Sequence, residues 1–113
     1  MIKVYHNPKC SKSRCALDYL NEKRVQFEVI EYMKSPLTKD ELRAILDKLR
    51  ISAEELLRKN EAEYKANFRG KTLSNEEWID AMIKFPKLIE RPIVVHQDKA
   101  VVARPTVKID EIV

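Results

Sequence analysis

A chain of 113 residues, 44% hydrophobic and 35% charged, has enough apolar side chains for one compact core and too few for two. Its net charge of +4 arises from 22 Lys and Arg against 18 Asp and Glu; the signs alternate, as in Glu22-Lys23-Arg24, so no basic block builds up to grip a nucleic-acid backbone. No apolar run approaches a bilayer-spanning length, and Met1-Ile2-Lys3-Val4 lacks the regions of a signal peptide, so a cytoplasmic protein that engages neither membrane nor nucleic acid is expected.

Ile2-Lys3-Val4-Tyr5 reads as a first strand, which Pro8 ends. A helix is predicted over Ser11 to Leu20, with Ser13, Ala16, Leu17 and Leu20 along one face. Phe27 to Ile30 gives a second strand of β-branched and aromatic residues. Three Ser or Thr residues are then each followed three positions later by Glu: Thr38 with Glu41, Ser52 with Glu55, and Ser74 with Glu77. Each pair can satisfy free amides at a helix start reciprocally. The first of these helices turns Leu42, Ile45, Leu46 and Leu49 to one side, and the third Trp78, Ala81, Met82 and Phe85. Ile93-Val94-Val95 and Ala100-Val101-Val102 flank a polar turn around Gln97-Asp98-Lys99, a hairpin signal. Thr106 is placed to cap a last short helix ending near Val113. The order β-α-β, helices, β-β, α fits a small mixed sheet with helices packed on it. With one glycine, Gly70, the chain has no glycine-rich phosphate loop.

The chemistry is concentrated in "YHNPKCSKSR", residues 5 to 14. A cysteine pKa falls at a helix start and beside cations, and Cys10 directly precedes the predicted helix. His6, at the strand end, offers positive charge or a place for a proton. Asn7 and Pro8 suit a turn that presents Cys10. A lone Cys in an arbitrary sequence is more often inert and half-buried, but the strand-turn-helix setting favours a nucleophile. Ser13 stands where a C-x-x-C motif would have its second Cys, so Cys10 needs another thiol partner. Cys15 lies about 140° around an ideal helix from Cys10, and is expected to be a small core residue near Tyr19. A phosphatase-type loop would need Arg where Ala16 stands, and His6, Cys10, Cys15 and His96 lack the paired spacing of a zinc site. His96 is expected at a strand end or turn. Arg58, Arg91 and Arg104 are candidates to grip a tetrahedral oxyanion bidentately. Any one of them, taken singly, is better explained as a surface or ion-paired residue. Arg91 and Arg104 each precede a proline, which holds their backbone extended.

"YHNPKCSKSR", "LLRKN", "ERPIVV" and "ARPTV" resemble, in order and over essentially the whole chain, the motifs of the glutaredoxin-dependent arsenate reductases. The resemblance implies an α/β fold of thioredoxin-like type in a single domain over residues 1–113: a mixed four-stranded sheet flanked by helices, with a helical insertion at about 38–86 between the second and third strands. It implies that Cys10 is the nucleophile, that His6 favours its thiolate, and that Arg58, Arg91 and Arg104 bind the oxyanion. Pro92 would follow a cis bond and face the thiol, with Asn7, Pro8, Ser13 and Arg14 as structural residues. The implied reaction takes arsenate to arsenite with glutathione as co-substrate and glutaredoxin resolving the mixed disulfide. No tightly bound cofactor or metal is expected, and the protein is expected to be a monomer. Two alternatives are an Spx-type regulator that binds RNA polymerase, against which Ser13 argues, and a related thiol oxidoreductase with another substrate.

Overall fold

In the computed structural model, which describes residues 2–113, the chain divides into two compact units, one running to Ser35 and resuming over Arg91–Val113, the other Pro36–Glu90. The first unit carries a four-stranded sheet: β1 (Ile2–Tyr5), β2 (Phe27–Ile30), β3 (Ile93–His96) and β4 (Lys99–Val102), in the order β2-β1-β3-β4. The parallel β1 and β2 need a crossover, supplied by α1 (Ser11–Glu22). Antiparallel β3 and β4 need only the two-residue turn Gln97-Asp98, in which Gln97 takes a left-handed φ of 57°. The sheet is thus mixed, as expected, with β3 one residue longer and β4 starting one residue earlier than the apolar runs.

Ala16 and Leu20 of α1 meet Val4, Val94 and Val101 of the sheet, closed below by Ala103 and Ile109. Each Val, Leu or Ile side chain removed from water here contributes roughly 1.5–3 kcal/mol before conformational entropy is counted. Cys15, expected in this core, is exposed. The inward face of α1 is set by Ser13, Ala16 and Leu20, and at 100° per residue Cys15 lies about 130° from its centre. Thr106 does not cap the final segment: it is the first residue of a 3-10 helix, Thr106–Glu111, which follows Pro105 without a side-chain cap. His96 sits at the end of β3, where its Nδ1 bonds with the Ile112 carbonyl.

The second unit holds α2 (Lys39–Leu49), α3 (Ala62–Asn67) and α4 (Asn75–Lys84), with 3-10 turns at Glu54–Leu56 and Pro86–Leu88. Thr38 and Ser74 form full capping boxes with Glu41 and Glu77. The third expected box forms only in part. Glu55 accepts from the Ser52 amide at 2.8 Å, but the Glu55 amide donates to the Ser52 carbonyl instead of its hydroxyl, and one 3-10 turn follows. The chain cannot continue as a helix there because Leu57 turns extended to bridge Ile89. α3, which the capping pattern did not anticipate, buries none of its residues, and Tyr64 within it stacks on Trp78 at 6.3 Å between ring centres.

Candidate active site

Strand register builds the site in the first unit. Tyr5, Ile93 and Val102 stand side by side across β1, β3 and β4. One step further come His6, Pro92 and Ala103, with the Ala103 amide donating to the Pro92 carbonyl at 2.9 Å. The step after that brings Arg91 opposite Arg104, whose Nε donates to the Arg91 carbonyl at 2.7 Å. Both Arg-Pro bonds, Arg91-Pro92 and Arg104-Pro105, are cis. The first was expected; the second was not.

The turn after β1 carries Cys10, the candidate nucleophile. The Asn7 side chain accepts from the Lys9 amide at 3.0 Å and its carbonyl from the Cys10 amide at 3.0 Å, a local turn closed on itself. Ser13, fully buried, ties the helix back to this turn by accepting from the Asn7 amide at 3.4 Å. Arg14 donates to the Pro8 carbonyl at 3.4 Å from the solvent side. Cys10 is thereby fixed as the residue before α1, with extended backbone angles and only 8% exposure.

The thiol ionises near neutrality, its pKa lowered from 9.0 to about 7. Burial pushes it up, but the Ser13 and Lys12 amides and the Arg91 guanidinium favour the thiolate and prevail. Arg104 Nη2 adds a contact to the sulfur at 3.6 Å. Arg91 Nε and Nη1 are buried with no acceptor among the described residues. His6 is buried, and desolvation, helped by the charge of Arg14 and opposed by Glu31, lowers its pKa and keeps it neutral at pH 7. It therefore adds no positive charge to the site; its Nδ1 has no hydrogen-bond partner among the described residues.

Arg58 belongs to the second unit. Its guanidinium is held by Glu61 at 3.0 Å and Glu90 at 3.5 Å, and donates to the Lys87 carbonyl at 3.1 Å. The structure thus brings Cys10, Asn7, Pro8, Ser13, Arg14, Arg91 and Arg104 into one continuous set, with His6 and Pro92 one register step away. No group of three or more His, Cys, Asp and Glu among the described residues is arranged to hold a metal ion.

Residues 5–112 match the ArsC family. The chain belongs to the ArsC family. It is 39% identical over 113 residues to the arsenate reductase of Neisseria meningitidis serogroup A, covering 98% of this chain and 97% of that protein. It is 46% identical over 114 residues to the uncharacterized protein YfgD of Escherichia coli strain K12, covering 99% and 96%. Among solved structures, the arsenate reductase from Vibrio cholerae superposes with a TM-score of 0.93 at 37% identity, covering 99% of this chain and 97% of that one. The mixed four-stranded α/β fold of this ArsC-family chain is thioredoxin-like, as its motifs imply. Sequence reasoning missed two features of the site: the second cis Arg-Pro bond and the carboxylates on Arg58. The repeated Arg-Pro pair was a usable signal for the first; Glu61, three residues after Arg58, was one for part of the second, and nothing local marked Glu90.

Proposed function

We propose that this ArsC-family protein reduces arsenate to arsenite, using Cys10 as its single nucleophile and glutathione with glutaredoxin as external thiols. The observation that carries the reading is the pairing of a thiolate with two buried, unsatisfied donors on Arg91. Buried guanidinium donors without acceptors are costly, and a tetrahedral oxyanion supplies the acceptors they lack. The choice of arsenate among such oxyanions is supported by the relatives named arsenate reductase at 39% and 35% identity.

The Cys10 thiolate attacks arsenic and expels one oxygen as hydroxide, which leaves as water once protonated. Arg91 and Arg104 offset the charge on the remaining oxygens. Neutral His6 takes the proton that the Cys10 thiol gives up and passes it to the departing hydroxide, ending neutral again. A glutathione thiolate then attacks the Cys10 sulfur, and the electron pair of the sulfur–arsenic bond stays on arsenic. Arsenic(V) becomes arsenite, and two thiols become the Cys10–glutathione disulfide. Glutaredoxin takes the glutathione and frees Cys10. Ser13 at the C-x-x-C position leaves no adjacent resolving thiol, so the second thiol comes from outside. Arg58 stays in the proposal as a third anion-binding residue, with Arg58→Ala expected to raise KM for arsenate more than it lowers kcat.

The test is NADPH consumption coupled through glutathione reductase, with arsenate, glutathione and glutaredoxin. Turnover is expected with glutaredoxin, and none when a thioredoxin system replaces the glutathione and glutaredoxin couple. Cys10→Ser is expected to abolish it. No turnover of the wild-type protein with either system contradicts the reading.

A further inference from the structure

Three cations lie around Cys10 on its solvent side: Lys9, Lys12 and Arg14, all exposed. None is paired with a carboxylate among the described residues. Elsewhere Lys23, Lys39, Arg43 and Lys59 each hold an Asp or Glu. The first turn of α1 contains no acidic residue, whereas the first turns of α2 and α4 contain two each. At this helix start neither an ion pair among the described residues nor an acidic residue in the first turn offsets the charge beside Cys10.

The backbones of the two lysines are fixed by the site itself. The Lys9 amide is engaged by Asn7 Oδ1 at 3.0 Å, and the Lys12 amide faces the Cys10 sulfur. Their side chains therefore start within two residues of the sulfur and end in water. Arg91 and Arg104 form the contrasting inner set, partly buried and in contact with the sulfur. Strongly hydrated ammonium groups on flexible stems suit a carboxylate arriving from solvent better than a dehydrated oxyanion already held by guanidinium forks.

We propose that Lys9 and Lys12 dock the carboxylates of the glutathione that attacks the occupied Cys10. This rests on the reading of the site as one resolved by an external thiol. Glutathione carries two carboxylates and one ammonium, and its attacking thiolate adds a further negative charge. Two unpaired lysines beside the target sulfur raise its local concentration and lower the cost of bringing that charge in. The oxyanion and the thiol donor thus use separate cations of one positive site, the arginines first and the lysines second.

The test needs no arsenate. In a Cys15→Ser background, Cys10 is converted to its mixed disulfide with 2-thiopyridine. Glutathione thiolate then attacks the Cys10 sulfur, forming the Cys10–glutathione disulfide and expelling pyridine-2-thione, whose absorbance is followed. The same exchange with 2-mercaptoethanol, an uncharged thiol, gives the reference rate. In Lys9→Glu/Lys12→Glu, the ratio of the glutathione rate constant to the 2-mercaptoethanol rate constant is expected to fall on the order of tenfold at low ionic strength. The fall should largely vanish near 1 M salt, where the screening length is about 3 Å. The ratio also cancels any change in the Cys10 sulfur itself. An unchanged ratio, or a fall that persists in high salt, overturns the proposal. Failure of the wild-type protein to turn over arsenate would instead overturn the arsenate reading and leave this ratio as measured.

Discussion

At Cys10 two opposing effects meet: 8% exposure, which disfavours a thiolate, and the Ser13 and Lys12 amides with Arg91, which favour it more strongly. Alkylation by neutral iodoacetamide is therefore expected to reach half its maximal rate near pH 7 in Cys15→Ser protein. Arg91→Ala should move that midpoint upward; an unchanged midpoint would remove Arg91 from the account of the thiolate. A folded-state pKa below the unfolded 9.0 means stabilisation that is complete above pH 9 and is lost as pH falls to about 7. The stability advantage of the wild-type protein over Cys10→Ser should thus grow between pH 7 and 9, by on the order of 2 kcal/mol, readable in urea midpoints. Cys10 was legible as the candidate nucleophile because its neighbours in sequence supply much of what lowers its pKa. Cys15 was misjudged although the same stretch held the answer. The phase of Ser13, Ala16 and Leu20 already points Cys15 outward, and the general tendency of free cysteines to be buried was given too much weight.

Among the elements, helix starts were the most readable feature, because a capping box is a local exchange of two hydrogen bonds. Thr38→Ala and Ser74→Ala are each expected to cost about 1 kcal/mol in urea denaturation. Ser52→Ala should cost only a few tenths, since the Ser52 hydroxyl receives no amide and sits 3.4 Å from Glu55 Oε2. Equal losses at all three positions would mean that Ser52 caps as the motif suggests. Arg50 ends α2 with a left-handed φ of 59°, which costs a side chain about 1–2 kcal/mol, so Arg50→Gly is expected to raise stability by up to about 1 kcal/mol. α3 escaped the sequence because it buries no residue and so carries no helical period. It forms instead against Trp78 through Tyr64, with Phe68, the residue that ends it, also on that ring.

On the scale of the whole molecule, the candidate site is made by residues far apart in the chain meeting at one end of one sheet. Arg91 and Arg104 lie equally far from the Gln97-Asp98 turn, so a hairpin with a two-residue loop sets them opposite each other. Reading the turn as three residues shifts that register by one position. This is why the two arginines could be listed from sequence as candidates but not seen to converge. Of the carboxylates on Arg58, Glu61 is a near neighbour in sequence, but Glu90 is harder still to foresee, because it reaches Arg58 through the Leu57–Ile89 bridge within the second unit. The central claim is that one cysteine and an external thiol perform the reduction. It is tested most directly by mass spectrometry after a single turnover of the wild-type protein with arsenate and glutathione, in the absence of glutaredoxin. One glutathione on Cys10 and one arsenite per protein are the expected products. An internal Cys10–Cys15 disulfide with no bound glutathione would contradict it.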